Sequence, residues 1–334
     1  MDTLSEVLRA VRLTGAVYFT IDGTAPWVAE TPPGNVIAPH IAGGVEHVIN
    51  YHVVTSGSCW AGLVGEPAFL VEAGDIVVFP QGDPHVLSSE PGLRGQPGPE
   101  VYESAKRQSV PICLSLLGGG PDGAGLVCGF LGCDARPFNP FLATLPRVVH
   151  LDGAREGTAA AHRLIELALA ESTAARPGSQ GVLSRLSEVL LVELIRFLSG
   201  QASPEQTGWF AAVKDETIGL ALNKLHERPE TTWTLARLAK EVGTSRSVLA
   251  ERFTHLVGLP PMQYLARWRM QMAANLLRTT TAGLAEIAER VGYGSEAALS
   301  RAFKRSLGVA PASYRRGPAN DPDDRTRDPD ARSF

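Results

Sequence analysis

The chain has 334 residues, 44% of them hydrophobic and 20% charged, with a net charge of −4 at neutral pH. That length supports two or three domains, and the apolar fraction excludes a wholly disordered chain. The charge is unevenly placed: residues 1–150 hold 7 basic and 14 acidic side chains, whereas 231–316 hold 13 basic and 5 acidic, a net of +8.

Residues 15–130 read as β structure. Ala16–Ile21, Val48–Thr55, Cys59–Val64, Phe69–Glu72, Ile76–Phe79, Ile112–Leu117 and Leu126–Phe130 are short β-rich runs separated by Gly and Pro. Many short strands with turn signals between them predict a barrel or sandwich. Within them, Gly74-Asp-Ile-Val-Val-Phe-Pro80-Gln-Gly82-Asp-Pro-His85 is the sharpest string. Gly74 and Gly82 permit tight turns around a strand, Pro80 ends it, and His85 is expected to point inward. Glu90–Pro99, rich in Gly and Pro, is expected as a surface loop.

Few side chains in this half carry chemistry. His52, Trp60 and His85 are candidate contacts for a small organic effector, the alternative for His52 and His85 being hydrogen-bonded residues of the barrel. A metal needs three or four convergent ligands. His47 and His52 are five apart and would face opposite sides of one strand, so neither metal nor other cofactor is expected. None of Cys59, Cys113, Cys128 and Cys133 shows Cys-x2-Cys spacing. Cys128 and Cys133 would form a redox switch if a turn at Gly129 or Gly132 brought them together. The alternative is four inert thiols beside an organic ligand. No catalytic constellation is present. No stretch is apolar for the roughly 18 residues that span a bilayer, and no leader pattern precedes the fold. The expectation is a cytoplasmic protein whose thiols stay reduced.

From 152 to 198 the pattern is helical. Arg155–Ser172 and Val182–Leu198 flank a break at Ala175–Ser179, and Leu183, Leu186, Val189, Leu190, Leu194 and Phe197 form an apolar stripe. Such a hairpin packs either on the barrel or against a second subunit. Gln201–Trp209 is polar and reads as a linker, and Val213–His226 reads as a helix. Gly317–Phe334, almost without apolar residues, is expected as a disordered tail.

The last third contains one unit twice. Leu235, Leu238, Ala239 and Val242 fall at i, i+3, i+4 and i+7, the apolar face of a helix, and Gly243 follows where a helix ends. Ser245 then sits as an N-cap before a helix carrying Leu249, Phe253 and Leu256. The second copy repeats this with Leu284, Ile287, Ala288, Val291, Gly292, Ser295, Leu299, Phe303 and Leu307. Each copy predicts a helix-turn-helix, whose second helix enters the major groove of DNA. Between them Pro261–Arg278 reads as one helix with the stripe Leu265, Trp268, Met272 and Leu276. At 1.5 Å per residue it spans about 27 Å, a spacer suited to placing two recognition helices in successive groove turns. The basic charge of this segment is the footprint of a phosphate backbone.

Paired units, a connecting helix with Trp268-Arg269-Met270, and the ending Gly308-Val-Ala-Pro311-Ala-Ser-Tyr314-Arg315-Arg316 resemble the AraC/XylS transcriptional regulators over 213–316. The Gly74–His85 string is similar to the second cupin motif. His52–Trp60 resembles the strand-turn-strand preceding it in cupin-type sensory domains of these regulators, over 5–150. The His-x-His and Glu of the first cupin motif have no counterpart. The resemblance implies base contacts at Ser247, Ala250 and Glu251 in the first unit and at Glu296, Ala297, Ala298 and Arg301 in the second, with Arg301 suited to a bidentate contact to guanine. Ser245, Arg246, Ser295 and Lys304, on the same helices or their caps, are further DNA-binding candidates.

The expected fold is multidomain α+β: a cupin-like sensor barrel over 1–150, a helical hairpin with a dimerisation role over 151–200, a linker over 201–212, an all-α DNA-binding domain over 213–316 and a tail over 317–334. The expected partners are double-stranded DNA, a second copy of the chain, a small-molecule or redox signal and RNA polymerase. The alternative function is a metal-dependent cupin enzyme fused to a DNA-binding module.

Overall fold

The computed structural model describes residues 3–10, 13–41, 47–96, 112–133, 138–140, 142–153, 159–174, 176–201 and 207–316. The expected tail, residues 97–99 of the expected loop, residues 155–158 of the first hairpin helix and 202–206 of the linker lie outside these. The described residues fall into two compact units. One lies within Leu13–Asp134 and Phe141–Ala202, the other within Met1–Arg12, Ala135–Pro140 and Ser203–Phe334. The hairpin therefore belongs with the strands, while residues 3–10 and 138–140, expected in the sensor, belong with the DNA-binding helices.

The strand-rich body is a curled sheet of β1 (Leu13–Thr24), β2 (Val28–Thr31), β3 (His47–Leu63), β4 (Phe69–Glu72), β5 (Ile76–Phe79), β6 (His85–Ser88), β7 (Ile112–Leu117), β8 (Gly123–Cys133) and β9 (Val149–Leu151), with helix α2 (Gly34–Ile41) between β2 and β3. The main path runs β2-β6-β3-β8-β1-β7. The runs expected as separate strands at 48–55 and 59–64 are one strand, β3. Its first half pairs with β5 and β8, and its second half with β4 and β6. The register shifts between Val54 and Ser56, where β3 bulges. Gly57, with φ 67°, lies beside this bulge; a Cβ there would stand 2.0 Å from the Gly123 carbonyl oxygen. The curl closes over Phe19, Trp27, Val48, Val54, Cys59, Phe79, Leu126 and Phe130.

Two helices, α3 (Ala159–Ala174) and α4 (Ser179–Gln201), pack against each other, and α4 also lies on β1 and β8. Leu183, Ser187, Leu190, Leu191, Leu194 and Ile195 of α4 are buried, a helical stripe. Val189 was expected in this stripe, but it is exposed, as are Val182 and Leu167.

The helical body contains α5 (Trp209–Lys214), α6 (Glu216–Glu227), α7 (Leu235–Glu241), α8 (Arg246–Val257), α9 (Pro261–Thr279), α10 (Leu284–Arg290), α11 (Glu296–Leu307) and α12 (Pro311–Arg316), together with α1 (Thr3–Ala10). The helix expected over 213–226 is two helices. Asp215 breaks them by capping α6, its Oδ1 accepting from Thr217 N at 3.1 Å and Ile218 N at 2.8 Å. Trp209, expected to close a polar linker, is instead 2% exposed and donates through Nε1 to Tyr264 Oη at 3.0 Å.

Candidate nucleic-acid interface and barrel interior

Each helix-turn-helix is built as its local sequence dictates. Thr234 and Ser245 cap α7 and α8, and Ser295 caps α11, each hydroxyl accepting from a backbone N–H of the first turn. Gly258 and Gly308 end α8 and α11 in the left-handed region, at φ 78° and 80°. Leu238, Ala239, Leu249 and Phe253 are buried in the first unit, and Ile287, Ala288, Val291, Leu299 and Phe303 in the second. The repeat extends to ring geometry: Phe253 meets Tyr264 edge-on at 5.7 Å, and Phe303 meets Tyr314 edge-on at 5.2 Å. The expected single stripe of α9 is two faces. Tyr264, Leu265 and Trp268 are buried, and Met270, Ala273, Ala274 and Leu277 join the core of the second unit.

Burial of α8 and α11 through these residues leaves the other face in solvent. Arg246, Ser247, Glu251, Glu296, Ala297, Arg301 and Lys304 are exposed, and Ala250 and Ala298 are half-buried. Among the described residues no carboxylate pairs with Arg246, Arg301 or Lys304. Arg252 differs: its guanidinium is held by the Asp215 carboxylate, Nε to Oδ2 at 2.9 Å. Ser245 and Ser295 are engaged as caps, with Ser245 Oγ 3.3 Å from Val248 N and Ser295 Oγ 3.2 Å from Ala298 N. Ser247 Oγ lies 3.1 Å from Ser245 Oγ. The second recognition helix thus presents Arg301 and Lys304 one turn apart, with Arg305 beside them, and the first presents Arg246 among small and acidic groups.

In the sheet unit, the turn predicted from Gly74 to His85 forms, with Gly74 and Gly82 at φ 98° and 68°. His85 is fully buried inside the curl, stacked on Phe79 at 3.8 Å. Its Nδ1–H donates to the Asp83 carbonyl at 2.8 Å, which leaves Nε2 to accept from His52 Nε2–H, also at 2.8 Å. His52 Nδ1 is then a buried lone pair without a partner. Burial lowers the affinity of both rings for a proton: His85 falls to about 4 and His52 well below its ordinary 6.5, the latter also by repulsion from His85. Two residues before His52 on the same strand face, Asn50 is 0% exposed, and both atoms of its amide are unpartnered. The sequence reading missed Asn50, although its i−2 relation to His52 marked it. Trp60 is not brought to this pair. It is half-buried and one residue out of phase with Cys59 and Ala61, which enter the core. Among the described residues no third His, Cys, Asp or Glu converges to complete a metal set.

The expected Cys128–Cys133 switch is overturned by strand geometry. Both lie on the continuous strand β8, opposite His52 and His47 respectively. Five residues of extended chain separate them by about 16 Å and turn them to opposite faces, whereas a disulfide needs Cα atoms within about 7 Å. Both are buried. Burial pushes the Cys128 thiol upward and the Cys59 thiol up to about 12, so neither supplies a thiolate.

A family model described as Cupin matches residues 2–199, and one described as a helix-turn-helix domain matches residues 238–317. The chain is 34% identical over 273 residues to an AraC-like transcription regulator of Streptomyces lividans, covering 81% of this chain and 88% of that protein. It is 32% identical over 267 residues to the HTH-type transcriptional regulator MtrA of Neisseria gonorrhoeae, covering 79% and 85%. The DNA-binding domain of AdpA, solved with a target DNA, is 31% identical, with a TM-score of 0.30 over 30% of this chain and 92% of that chain.

Proposed function

Because the chain belongs to the AraC-like transcription regulators and carries an N-terminal cupin domain, we propose that its two recognition helices read unequal parts of a bipartite DNA site, with α11 dominant. The observation that carries this is the pair of exposed, unpaired cations Arg301 and Lys304 on α11. Arg301 reads a base edge, and Lys304 and Arg246 hold phosphates. The remaining helix contacts, Ser247, Ala250, Glu251, Glu296, Ala297 and Ala298, supply fit rather than strong hydrogen bonding. Ser245 and Ser295 act by capping.

The effector reading rests on the interior of the curl. Among the described residues, Asn50, His52 and His85 are buried polar groups there, and the unpartnered atoms of Asn50 and His52 would bind the polar end of a small molecule. Apolar Leu167, Val182 and Val189, exposed on the hairpin, support pairing of two copies through α3 and α4. The regulator acts in the cytoplasm on RNA polymerase at its promoters, without catalysis. No helix among the described residues is long and apolar enough to cross a membrane. The test is footprinting of full-length protein on the DNA flanking its own gene. Two protected blocks in successive turns, with the stronger lost in Arg301→Ala, are expected; equal loss of both blocks refutes the unequal reading.

A further inference from the structure

We propose that Arg269, seated against Gly292, fixes the register between the two recognition helices and so determines the spacing of the DNA site without touching a base. The two units share α9, whose two faces are packed into their cores. A second contact away from that helix stiffens the joint between them. Arg269 makes one. Its Nε–H donates to the Pro229 carbonyl at 2.8 Å and its Nη2–H to the Thr231 carbonyl at 2.9 Å, both in the turn between α6 and α7 of the first unit. The same guanidinium lies 5.9 Å from the ring of Tyr293, in the helix-helix turn of the second unit.

The turn glycines provide an internal control. Gly243 and Gly292 hold equivalent places in the repeat and nearly equal φ, 71° and 79°. A Cβ on Gly243 would meet nothing within 4 Å. A Cβ on Gly292 would stand 2.8 Å from both Glu230 Cα and the Pro229 carbonyl oxygen, and 2.7 Å from Arg269 Nη2. Gly243 is thus required by backbone conformation alone. Gly292 is required also because the second unit's turn lies directly against the 229–231 turn of the first. Arg269 sits in this seam with Nε and Nη2 committed to carbonyls, which draws it away from the cations facing phosphate. Burial there lowers the proton affinity of its guanidinium.

The proposal rests on both recognition helices engaging DNA. Full-length protein first selects its site from a random-sequence duplex pool, and one base pair is then inserted or deleted between the two contacted blocks. This rotates one block by about 34° relative to the other. Wild-type protein should lose about tenfold or more in affinity. Arg269→Gln and Gly292→Ala should bind the selected site more weakly, and their spacing penalty should shrink to about twofold or less. Gly243→Ala, equally strained in backbone, should keep the full penalty. Arg269→Lys, which retains charge and a donor, should fall between. A penalty unchanged in Arg269→Lys and Gly292→Ala overturns the proposal, as does a penalty lost equally in Gly243→Ala. If Arg269→Gln does not fold, judged by its thermal melt, those two variants decide. Selection of a single contacted block by wild-type protein refutes the two-helix reading itself, a different failure from two blocks with an unaltered penalty.

Discussion

His52 Nε2 lies 2.8 Å from His85 Nε2, with both rings buried in the curl of the sheet. The contact needs one Nε2 to donate and the other to accept, so it is lost when both rings are protonated. Unfolded imidazole titrates near 6.5, whereas folded His85 takes a proton only at about 4 and His52 well below 6.5. Below about pH 6.5 the unfolded chain therefore binds protons that the folded sheet refuses. Stability contributed by the neutral pair is complete above that pH and is lost progressively down to about pH 4, by on the order of 3 kcal/mol for His85. Urea unfolding of the full chain across this window should show the loss. His85→Gln, which cannot titrate, should flatten it, and an unchanged pH slope would count against the depressed affinity.

Arg301→Ala should cost about 1–3 kcal/mol of DNA binding and relax preference at one base position. Ser247→Ala should cost little, since its hydroxyl already faces Ser245 Oγ at 3.1 Å. Binding-site selection with both variants checks this; an unaltered base preference for Arg301→Ala would remove α11 from base reading.

Trp209→Ala should destabilise the helical unit by about 3–5 kcal/mol. The indole is 2% exposed and donates to Tyr264 Oη, which in turn lies 2.9 Å from His226 Nε2. A chain begun at 213 would lack this ring and should melt well below one begun at 207. Equal melting temperatures for the two would show that Trp209 contributes nothing.

Thiol reagents should separate the cysteines by burial. Cys113 is exposed and should label at once, whereas Cys59, Cys128 and Cys133 are buried and should label only on unfolding. Peroxide should leave these three intact and DNA affinity unchanged. Reversible loss of two buried thiols with altered DNA binding would restore the redox switch that the geometry of β8 rules out.

The helix-turn-helix repeat was legible because its determinants are local. Caps at Ser245 and Ser295, glycines at 243 and 292 and apolar residues at i, i+3, i+4 and i+7 act within a turn or two of helix, so spacing alone reveals them. The turn carrying His85 was legible for the same reason. Trp209 was misread because a single Trp after a polar stretch gives no periodicity; its place is set by Tyr264, far away in sequence.

Local patterns in the chain thus set the architecture: a strand-rich half with an inward His85, and paired recognition helices with Arg301 outward. Tertiary structure decided which residues meet. Strand pairing joined two expected strands into β3, brought His52 to His85, left Asn50 buried beside them, and held Cys128 and Cys133 apart on one extended strand. Packing of the two helical units placed Arg269 between the 229–231 turn and Tyr293. Helical periodicity and capping operate over a few residues and leave a pattern in the chain. Strand register and docking depend on partners tens of residues away, and only the folded backbone selects among them.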